Sequence, residues 1–556
     1  MGDRHLSFWP ARVPRNLTIP ATSLWFNVEV SATRYPGKAL HIFYDRTVTY
    51  GEFRAEAERL AGFLQRECGI ARGDRVALYL QNCPQFAIAY YAVLRADAVV
   101  VPINSMLLTQ ELETILEDCG ARVLITAQDL YGNVEPLQGR ALTHTLIACY
   151  RDYIDPQTAL AVPEGVAAER RPIAGPGVTL WRDAQRLNLK PGPHRSGAED
   201  LCVLPYTSGT TGVPKGCMHR HRGVQFTAMA APHWYRMFHD ETALAVLPWF
   251  HVTGMQGSLN GAIYTGATAV IQPRWDRDVA GELIQRHRVT SWGAVPAMIV
   301  DFLSNPHIDR YDLSSIRQCG GGGAAMPQAI AQKMQDLCGI TFVEGYGSTE
   351  TMAPSHINPP DRPKQQCLGI PIFDTDSRVV DPETLRELPA GETGEIMTQG
   401  PGVFEGYWNK PEATREAFVE LDGKRFFRTG DLGRTDEEGY FFMVDRLKRM
   451  INAAGFKVWP AEVEALLYAH PAIEEAVIIA KKDSRRGETV KALIVLKPAA
   501  RAGTTASDII DWARGHMAAY KVPRVVEFVD RLPKSGAGKV QWRALQERED
   551  ALKGSE

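Results

Sequence analysis

The sequence has few cysteines, and their spacing favours neither a disulfide framework nor a metal site. The nine cysteines are odd in number and widely spaced, no C-x-x-C pair occurs, and none follows Cys367. Dense cysteines in even number are typical of small secreted folds, whereas cytosolic proteins keep their thiols reduced. We therefore expect free thiols and a cytoplasmic location.

Long apolar runs and an excess of one charge are missing as well. The longest apolar stretch, Phe86 to Ile103, is broken by Arg95 and Asp97 and is too short for a membrane span. The N-terminus has neither an apolar signal segment nor a myristoylation pattern. The formal net charge is only -3, and basic residues are scattered. We expect no transmembrane segment and no nucleic-acid partner.

The chain does have the length and composition of a protein with large cores. Its 556 residues, 45% of them hydrophobic, allow roughly three to four domain-sized units. Strand and helix patterns alternate from Val76 to Thr126 and again from Ala243 to Glu344, which predicts parallel sheets with flanking helices. Ligand loops are then expected at the C-terminal ends of strands. The Pro/Gly-rich stretch from Ala141 to Ala198 is expected to be looped.

The pattern changes twice toward the C-terminus. From Gly394 it becomes short strands and turns, which predicts a barrel-like β subdomain over 394–446. After Arg446, helix patterns flank a strand pair, which predicts a small α+β domain over 447–556. We therefore predict an α/β protein with a large N-terminal domain over 1–446 and a small C-terminal domain.

One run has the composition of a phosphate-binding loop. In YTSGTTGVPKG, from Tyr206 to Gly216, glycines permit tight turns, and hydroxyl groups and a lysine suit a polyphosphate. It is not a Walker A motif, because Pro214 replaces the second glycine and no serine or threonine follows Lys215. A polar surface loop is the alternative. The candidate ligands are Thr207, Ser208, Gly209, Thr210, Thr211, Gly212 and Lys215.

Motifs ordered along nearly the whole chain resemble those of the adenylate-forming superfamily, which contains acyl-CoA synthetases, adenylation domains and firefly luciferases. They are VTYGEF (48–53), YTSGTTGVPKG (206–216), LPWFHVTGM (247–255), EGYGSTET (344–351), GEIMTQGP (394–401), FFRTGDLG (426–433), DRLKRMINAAGFKVWPAEVE (445–464) and PKSGAGKV (533–540). So many ordered matches are more specific than one motif. Asp97 departs from the small residue usual in the family, at a position that we expect to be structural.

The resemblance implies roles for residues of the N-terminal domain. Glu350 is expected to hold Mg²⁺, with a solvated acid as the alternative, and Thr349 to bind the α-phosphate of ATP. Tyr346, with Gly347 beside it, is expected to border the adenine. The segment that matches the lining of adenine and the acyl carboxylate includes Gly323, Ala324 and Ala325.

Other implied roles fall on the last part of the chain. Asp431 and Arg446 match the residues that approach the ribose. Lys539 matches the lysine that bridges the substrate carboxylate and the α-phosphate, although its spacing alone favours a surface lysine. The C-terminal domain is expected to rotate about a hinge at Lys448, after which Gly455 lines the tunnel for the pantetheine of coenzyme A.

The resemblance also implies a channel beside LPWFHVTGM. His251 matches a position at the acyl or pantetheine channel, with a core histidine as the alternative. His219 and His221 have no third ligand, so we reject a metal site there. The residues from Phe250 to Thr253 lack the carboxylate that amino-acid-activating relatives use, which favours an acid with an uncharged tail.

We therefore expect a ligase that joins a medium- or long-chain fatty acid to coenzyme A with ATP and Mg²⁺. An aryl or short branched acid is the alternative substrate, and a carrier protein is the alternative acceptor. A luciferase-like oxygenase and a non-catalytic nucleotide-binding protein stay open. The expected partners are the acid, ATP and coenzyme A, and a homodimer is compatible with the sequence.

Overall fold

The computed structural model describes residues 4–207, 214–453, 456–483, 487–501, 503–534 and 540–551. The chain divides into two compact units. The first contains Met1–Ser377 and Thr398–Phe427, and the second contains Arg378–Met397 and Arg428–Glu556. The domain boundary predicted after Arg446 lies inside the second unit and stays a prediction.

Two large sheets form the first unit. In the described residues one has nine strands, parallel in its centre and antiparallel at its edges; in spatial order they are Ile370–Pro371, His356–Ile357, Phe342–Tyr346, Gln318–Gly321, Ser291–Gly293, Thr242–Ala245, Thr268–Ile271, Ala39–Phe43 and Arg46–Thr49. The other has seven described strands, all parallel except the first: His219–Arg220, Leu201–Val203, Val99–Pro102, Arg75–Tyr79, Val123–Ala127, His144–Ala148 and Val178–Leu180. The predicted parallel sheets are therefore present.

Helices connect these strands and cover apolar faces. The central strands are buried along their length, as expected of parallel strands covered on both faces. The longer helices of the first unit are Trp25–Arg34, Tyr50–Arg66, Pro84–Arg95, Thr109–Cys119, His221–Tyr235, Arg277–His287, Pro296–Leu303 and Gln328–Cys338. Shorter ones are Tyr131–Val134, Glu164–Ala167, Trp181–Arg186, Val252–Gly254, Gly261–Thr265 and Pro411–Glu416, and Met255–Asn260 is a π-helix.

Helix Pro84–Arg95 illustrates how the sequence determines these elements. Proline fits the first helical position, where its missing N–H has no partner to lose, and the Cys83 sulfur accepts from the Phe86 N–H. Every residue from Pro84 to Leu94 is buried. The apolar stretch Phe86 to Ile103 is thus a core helix and the strand after it. None of the helices within the described residues is at once long and apolar enough for a membrane crossing.

The expectation that Ala141 to Ala198 is looped is wrong in part. This stretch contributes strands His144–Ala148 and Val178–Leu180 to the seven-stranded sheet, followed by helix Trp181–Arg186. The strand residues at 145–148 are buried, with Leu146 and Ala148 in one apolar cluster and Ile147 in another, and the strand pairs with a parallel neighbour on each side. Proline and glycine mark the turns between these short elements, and their number concealed the strands.

A third group of strands contains residues of both units: Asp376–Val380, Gly394–Gln399, Phe418–Leu421, Lys424–Thr435 and Phe441–Arg446. In the first unit, Phe418–Leu421 pairs with the start of Lys424–Thr435. In the second unit, the end of that strand pairs with Phe441–Arg446. Antiparallel strands are present where the β subdomain was predicted, and the group of strands begins at Asp376, before Gly394.

The rest of the second unit has a small α+β arrangement of strands and helices. Its described strands are Ile451–Ala453, Phe456–Val458, Ile473–Asp483, Gly487–Leu496 and Val525–Phe528, and its helices are Pro460–Leu467, Ala506–His516 and Trp542–Ala551. The buried Lys491 ammonium on one strand contacts the Glu549 carboxylate at 2.5 Å, which attaches the last helix to the sheet. Elements of the predicted types thus follow one another in the predicted order.

Asp97 has the structural role expected of it. It follows helix Pro84–Arg95 with a φ of 63°, a left-handed conformation that aspartate tolerates better than most residues. Its buried carboxylate accepts from the N–H groups of Arg195, at 3.0 Å, and Ser196, at 2.8 Å, and lies 2.7 Å from His194 Nδ1. Asp97 therefore anchors the segment that precedes strand Leu201–Val203.

We predict that Asp97→Asn lowers the free energy of unfolding by about 1–2 kcal/mol at pH 7. Burial by itself raises the pKa of Asp97, but the hydrogen bonds from His194, Arg195 and Ser196 outweigh it and hold the pKa well below its usual range. A depressed pKa stabilises the fold above the unfolded pKa of about 3.9, and this stabilisation fades as the pH falls below it. In urea unfolding, the difference in the free energy of unfolding between wild type and variant should be smaller at pH 3 than at pH 7.

Asp183→Asn is the matched control, because the Asp183 carboxylate is exposed and pairs with Arg186 of the same helix. It should change the free energy of unfolding by less than about 0.5 kcal/mol at either pH. An Asp97→Asn protein as stable as the wild type at pH 7 would contradict the anchoring role.

Candidate functional site

The two described ends of the phosphate-loop motif pair with each other as short strands, which we call the hairpin. Strands Tyr206–Thr207 and Lys215–Gly216 pair antiparallel, with Lys215 opposite Thr207. The Tyr206 hydroxyl donates to Asp118 Oδ2 at 2.6 Å, which ties the hairpin to the end of helix Thr109–Cys119. Two of the predicted phosphate ligands are therefore cross-strand neighbours. The others, Ser208, Gly209, Thr210, Thr211 and Gly212, lie outside the described residues.

Lys215 and Glu350 both contact the side chain of one tyrosine, Tyr407. The Lys215 ammonium lies 5.0 Å from the centre of the Tyr407 ring, within cation–π range. The Tyr407 hydroxyl donates to Glu350 Oε1 at 2.9 Å. Burial, with the charge of Glu350, raises the pKa of Tyr407 well above its usual range, so the hydroxyl keeps its proton and donates. The structure thus places the predicted phosphate lysine and the predicted metal ligand around a shared side chain.

A short 3₁₀ helix, Thr349–Thr351, presents Thr349 and Glu350. Its start is fixed because the Ser348 N–H donates to Thr351 Oγ1 at 2.8 Å. His219 Nε2 donates to the Thr349 carbonyl at 2.8 Å. Burial lowers the pKa of His219 to about 4, against the opposing effect of that bond, so the imidazole is neutral near pH 7. His219 therefore supports the loop that carries both predicted ligands.

His221, the second histidine of the rejected metal pair, also has a structural contact. The Leu24 N–H donates to His221 Nδ1 at 3.1 Å, and burial lowers the pKa of this histidine to about 3. Both rings are thus buried and hydrogen-bonded to the protein backbone.

The glycines from Gly320 to Gly322 are required by close backbone packing. A Cβ at Gly321 would lie 1.8 Å from the Ala294 carbonyl oxygen, and one at Gly322 would lie 2.2 Å from the Gly345 carbonyl oxygen. Such distances are far inside van der Waals contact. These glycines let neighbouring parallel strands approach at the sheet edge where the predicted adenine and acyl segment begins.

The segment that follows is held by Glu344. Its Oε1 accepts from the Met326 N–H at 2.9 Å, and its Oε2 accepts from the Gln366 N–H at 2.6 Å. Burial raises the pKa of Glu344, while these backbone donors oppose the shift. The predicted residues between the glycines and Met326 are exposed at the surface of the unit: Gly323, Ala324 and Ala325.

Tyr346 ends the strand Phe342–Tyr346, two residues after Glu344. Its ring lies 5.5 Å from that of His356, and burial lowers the pKa of His356 to about 3. A Cβ at Gly347 would lie 2.9 Å from the Ala353 Cα, so this glycine allows the chain to fold back on itself. Tyr346, Thr349 and Glu350 therefore follow one another at the C-terminal end of one parallel strand, as predicted for ligand loops.

His251 is exposed, so the alternative of a core histidine is wrong. Its Nδ1 accepts from the Thr253 N–H at 3.3 Å at the start of the short helix Val252–Gly254. Trp249, two residues earlier, is fully buried and donates from Nε1 to Ser258 Oγ at 2.9 Å. The motif thus has a buried anchor beside an accessible histidine, and the role of His251 stays a prediction.

Asp431 and Arg446, the predicted ribose ligands, lie in the second unit. They are opposite residues of paired strands, and Arg446 Nε lies 2.6 Å from Asp431 Oδ1. The Asp431 N–H donates to Thr429 Oγ1 at 3.0 Å. Asp431 is only 1% exposed. The pair has the geometry of a carboxylate oriented by a guanidinium.

Besides the loop residues named above, three residues of the predicted set are described only in part or not at all. Lys448 lies in the 3₁₀ helix Leu447–Arg449, but its side chain is outside the described atoms. Gly455 and Lys539 are outside the described residues. Their roles as hinge, tunnel and catalytic residue stay predictions.

Residues that sequence reasoning missed hold the predicted ligands in place. They include Tyr407, Glu344 and the buried Glu395, which accepts from Arg428 at 2.6 Å and from the Gly430 N–H at 3.2 Å, next to Asp431. Glu344 and Glu395 each lie inside a quoted motif, which was an available signal. Tyr407 lies outside the quoted motifs, and its contact with Glu350 joins residues 57 apart in sequence.

Comparison with known proteins identifies the family. The model of the AMP-binding enzymes matches residues 28–408, and the model of their C-terminal domain matches residues 462–539. The first match alone covers more than half of the chain. The chain therefore belongs to the AMP-binding enzyme family, and the predicted resemblance to adenylate-forming enzymes is confirmed.

The listed relatives match nearly end to end. A long-chain-fatty-acid–CoA ligase of Bacillus subtilis (strain 168) is 36% identical over 553 residues, which is 98% of both chains. A feruloyl-CoA synthase of an Amycolatopsis species is 35% identical over 547 residues, 97% of this chain and 98% of its own. ATP-bound MatB from Rhodopseudomonas palustris is 27% identical with a TM-score of 0.82, covering 96% of this chain and 100% of its own. The predicted fold class is confirmed.

We predict that Gly321→Ala destabilises the protein by about 1–3 kcal/mol, because its Cβ would overlap the Ala294 carbonyl and force two strands apart. Thermal unfolding followed by circular dichroism measures the change. The control is Gly132→Ala, since a Cβ at Gly132 meets nothing within 4 Å. Equal unfolding temperatures for both variants would contradict the close approach.

Proposed function

We propose that the chain is an acid–thiol ligase. It converts a medium- or long-chain fatty acid, ATP and coenzyme A to acyl-CoA, AMP and pyrophosphate through an acyl-adenylate. The observation that carries the proposal is the arrangement of Lys215 and Glu350 around Tyr407. It occurs in a chain of the AMP-binding family that resembles a fatty-acid–CoA ligase over 98% of its length.

The chemistry explains why these groups are needed. A carboxylate resists nucleophiles because it is negatively charged and has no good leaving group. Attack of a carboxylate oxygen on the α-phosphorus of ATP forms an O–P bond and releases pyrophosphate. The acyl group then carries AMP, a good leaving group. The protein must position two anions and offset their repulsion, which favours electrostatic over covalent catalysis.

The residues of the first unit supply the positive charge and the hydroxyl donors for ATP. Lys215 and Thr207 are opposite residues of the hairpin and are proposed to bind phosphate oxygens. Thr349 is proposed to bind the α-phosphate. Mg²⁺ in proteins usually takes one or two carboxylates together with substrate phosphates, and Glu350 next to Thr349 fits such a donor set. Bound there, Mg²⁺ would neutralise phosphate charge.

Lys539 and the ribose pair complete the adenylation step. Asp431, oriented by Arg446, is proposed to accept hydrogen bonds from the ribose hydroxyls. Lys539 is proposed to lie between the carboxylate and the α-phosphate and to offset the charge that builds up on both. In the second step the thiol of coenzyme A attacks the acyl carbonyl and expels AMP. Rotation of the C-terminal domain near Lys448 would remove Lys539 and bring Gly455 to the pantetheine.

Several features support a fatty acid as the substrate. The residues Phe250 to Thr253 contain no carboxylate to hold an ammonium group. Buried apolar side chains such as Ile299 lie in the helix that follows strand Ser291–Gly293. The feruloyl-CoA synthase relative, almost equally similar, favours an aryl acid as the second candidate.

The nine free cysteines support a reducing compartment such as the cytoplasm.

We predict that pyrophosphate release rises with the chain length of the acid. Each methylene that the site buries should raise kcat/KM by up to about fourfold, until the pocket is full. A coupled pyrophosphate assay over saturated acids, ferulate and benzoate measures this, with acyl-CoA detected by mass spectrometry. Preference for the aryl acids over every aliphatic acid would replace the fatty-acid proposal by the aryl one. Adenylate without any acyl-CoA would favour a carrier protein as acceptor.

We predict that Lys539→Ala slows adenylation by about a hundredfold or more, while thioester formation from supplied acyl-adenylate changes little. The reason is that the lysine would act on charge that develops only in the first step. Single-turnover assays of the two half-reactions measure both rates.

Lys534→Ala is the control, because Lys534 belongs to the same segment but contacts Glu475 at 2.6 Å on the surface. It should leave both half-reactions close to the wild-type rates. Equal losses of both half-reactions in Lys539→Ala would contradict the use of separate arrangements for the two steps.

A further inference from the structure

A backbone segment outside the predicted phosphate loop runs along the end of the hairpin. Residues 403–408, which we call the strap, exchange backbone hydrogen bonds with the residues that follow Lys215. The Met218 N–H donates to the Gly406 carbonyl at 3.0 Å, and the Trp408 N–H donates to the Gly216 carbonyl at 2.8 Å. The strap therefore extends the hairpin as a third, antiparallel stretch of chain.

The strap is also attached to Glu350. The Phe404 N–H donates to the Glu350 carbonyl at 2.8 Å. The Phe404 ring is 2% exposed and packs against Phe418, at 5.3 Å between ring centres, and against Cys217 in the same cluster. Packing in this apolar cluster holds the strap in place through Phe404. The strap thus joins the hairpin end to the metal-ligand loop through the backbone.

Tyr407 is the residue of the strap that contacts both predicted ligands through its side chain. Its backbone is bridged to Cys217, between Gly216 and Met218, so the base of the side chain cannot move independently of the hairpin. The ring lies beneath the Lys215 ammonium, and the hydroxyl binds one oxygen of the Glu350 carboxylate. A glutamate side chain loses considerable rotamer freedom when it is fixed, and a pre-formed hydrogen bond meets that cost before the ligand arrives.

We propose that Tyr407 is a positioning residue that holds the Glu350 carboxylate and the Lys215 ammonium in place for a Mg²⁺–triphosphate. This inference rests on the proposed function, because it assigns Tyr407 to the ATP site of that reaction. Tyr407 acts through the two residues. Its hydroxyl sets the orientation of the Glu350 carboxylate, and its ring limits where the Lys215 ammonium moves.

The experiment is a titration of ATP into the full-length protein by calorimetry, with Mg²⁺ and with EDTA. Tyr407→Phe removes the hydroxyl and keeps the ring under Lys215. The variant should need about tenfold more Mg²⁺ for half-maximal ATP affinity, because one hydrogen bond to a charged group is lost. With EDTA its ATP affinity should equal that of the wild type. Tyr407→Leu should weaken ATP binding in both conditions, because the ring contact is lost too.

Two controls separate positioning from general damage. Tyr311→Phe removes a tyrosine–carboxylate hydrogen bond of 3.1 Å to Asp278 elsewhere in the first unit, and should bind ATP as the wild type does. In the double variant Tyr407→Phe with Glu350→Gln, the Mg²⁺ dependence should match that of Glu350→Gln alone, because Tyr407 acts through Glu350. Additive losses in this double variant would overturn the inference, even if Tyr407→Phe were less stable.

The remaining outcomes are equally decisive. Unchanged Mg²⁺ dependence in Tyr407→Phe would overturn the positioning role, and so would a fall in kcat alone without a change in ATP affinity. ATP binding that depends on Tyr407 in a protein without turnover on any acid would support the inference and overturn the proposed function. The two can therefore fail independently.

Discussion

The contact between Tyr407 and Glu350 is the constraint on which the arrangement of the predicted phosphate site depends. Together with the contact between the Tyr407 ring and Lys215, it joins three stretches of chain that are remote in sequence: the hairpin with Lys215, the loop with Glu350 and the segment 403–408. A cation and a carboxylate left to themselves would form a direct ion pair, which a polyphosphate would have to separate. Here Tyr407 contacts each of them separately, Lys215 through its ring and Glu350 through its hydroxyl.

Close backbone packing shapes the sheet edge that carries the other predicted ligands. Glycines at 321 and 322 let parallel strands approach so closely that a Cβ would overlap neighbouring carbonyl groups. Glu344 then fixes the following turn through the Met326 and Gln366 N–H groups. Loops at the C-terminal ends of parallel strands are natural ligand sites, and here buried carboxylates pin them to the scaffold.

The helices and strands that were predicted correctly are those with a clear local pattern of apolar residues. The alternation of strands and helices predicted from Val76 to Thr126 and from Ala243 to Glu344 is present, because apolar periodicity and β-branched residues agree there. The strands within 141–198 were missed, because they are short, their flanks are rich in proline and glycine, and a pairing partner of each lies elsewhere in the fold. For His251, only the exposure of the residue excluded the interpretation as a core histidine.

The sequence by itself determined the family and the order of the elements. Its ordered motifs, the glycine and hydroxyl composition of the phosphate loop, and the proline that breaks the Walker A pattern are local properties that need no fold to be recognised. The tertiary structure alone decided which side chains support the ligands. Tyr407 meets Glu350, His219 meets the Thr349 carbonyl, and Glu395 meets Gly430. Such partners are brought together by strand order and backbone pairing, and no spacing along the chain encodes their distance.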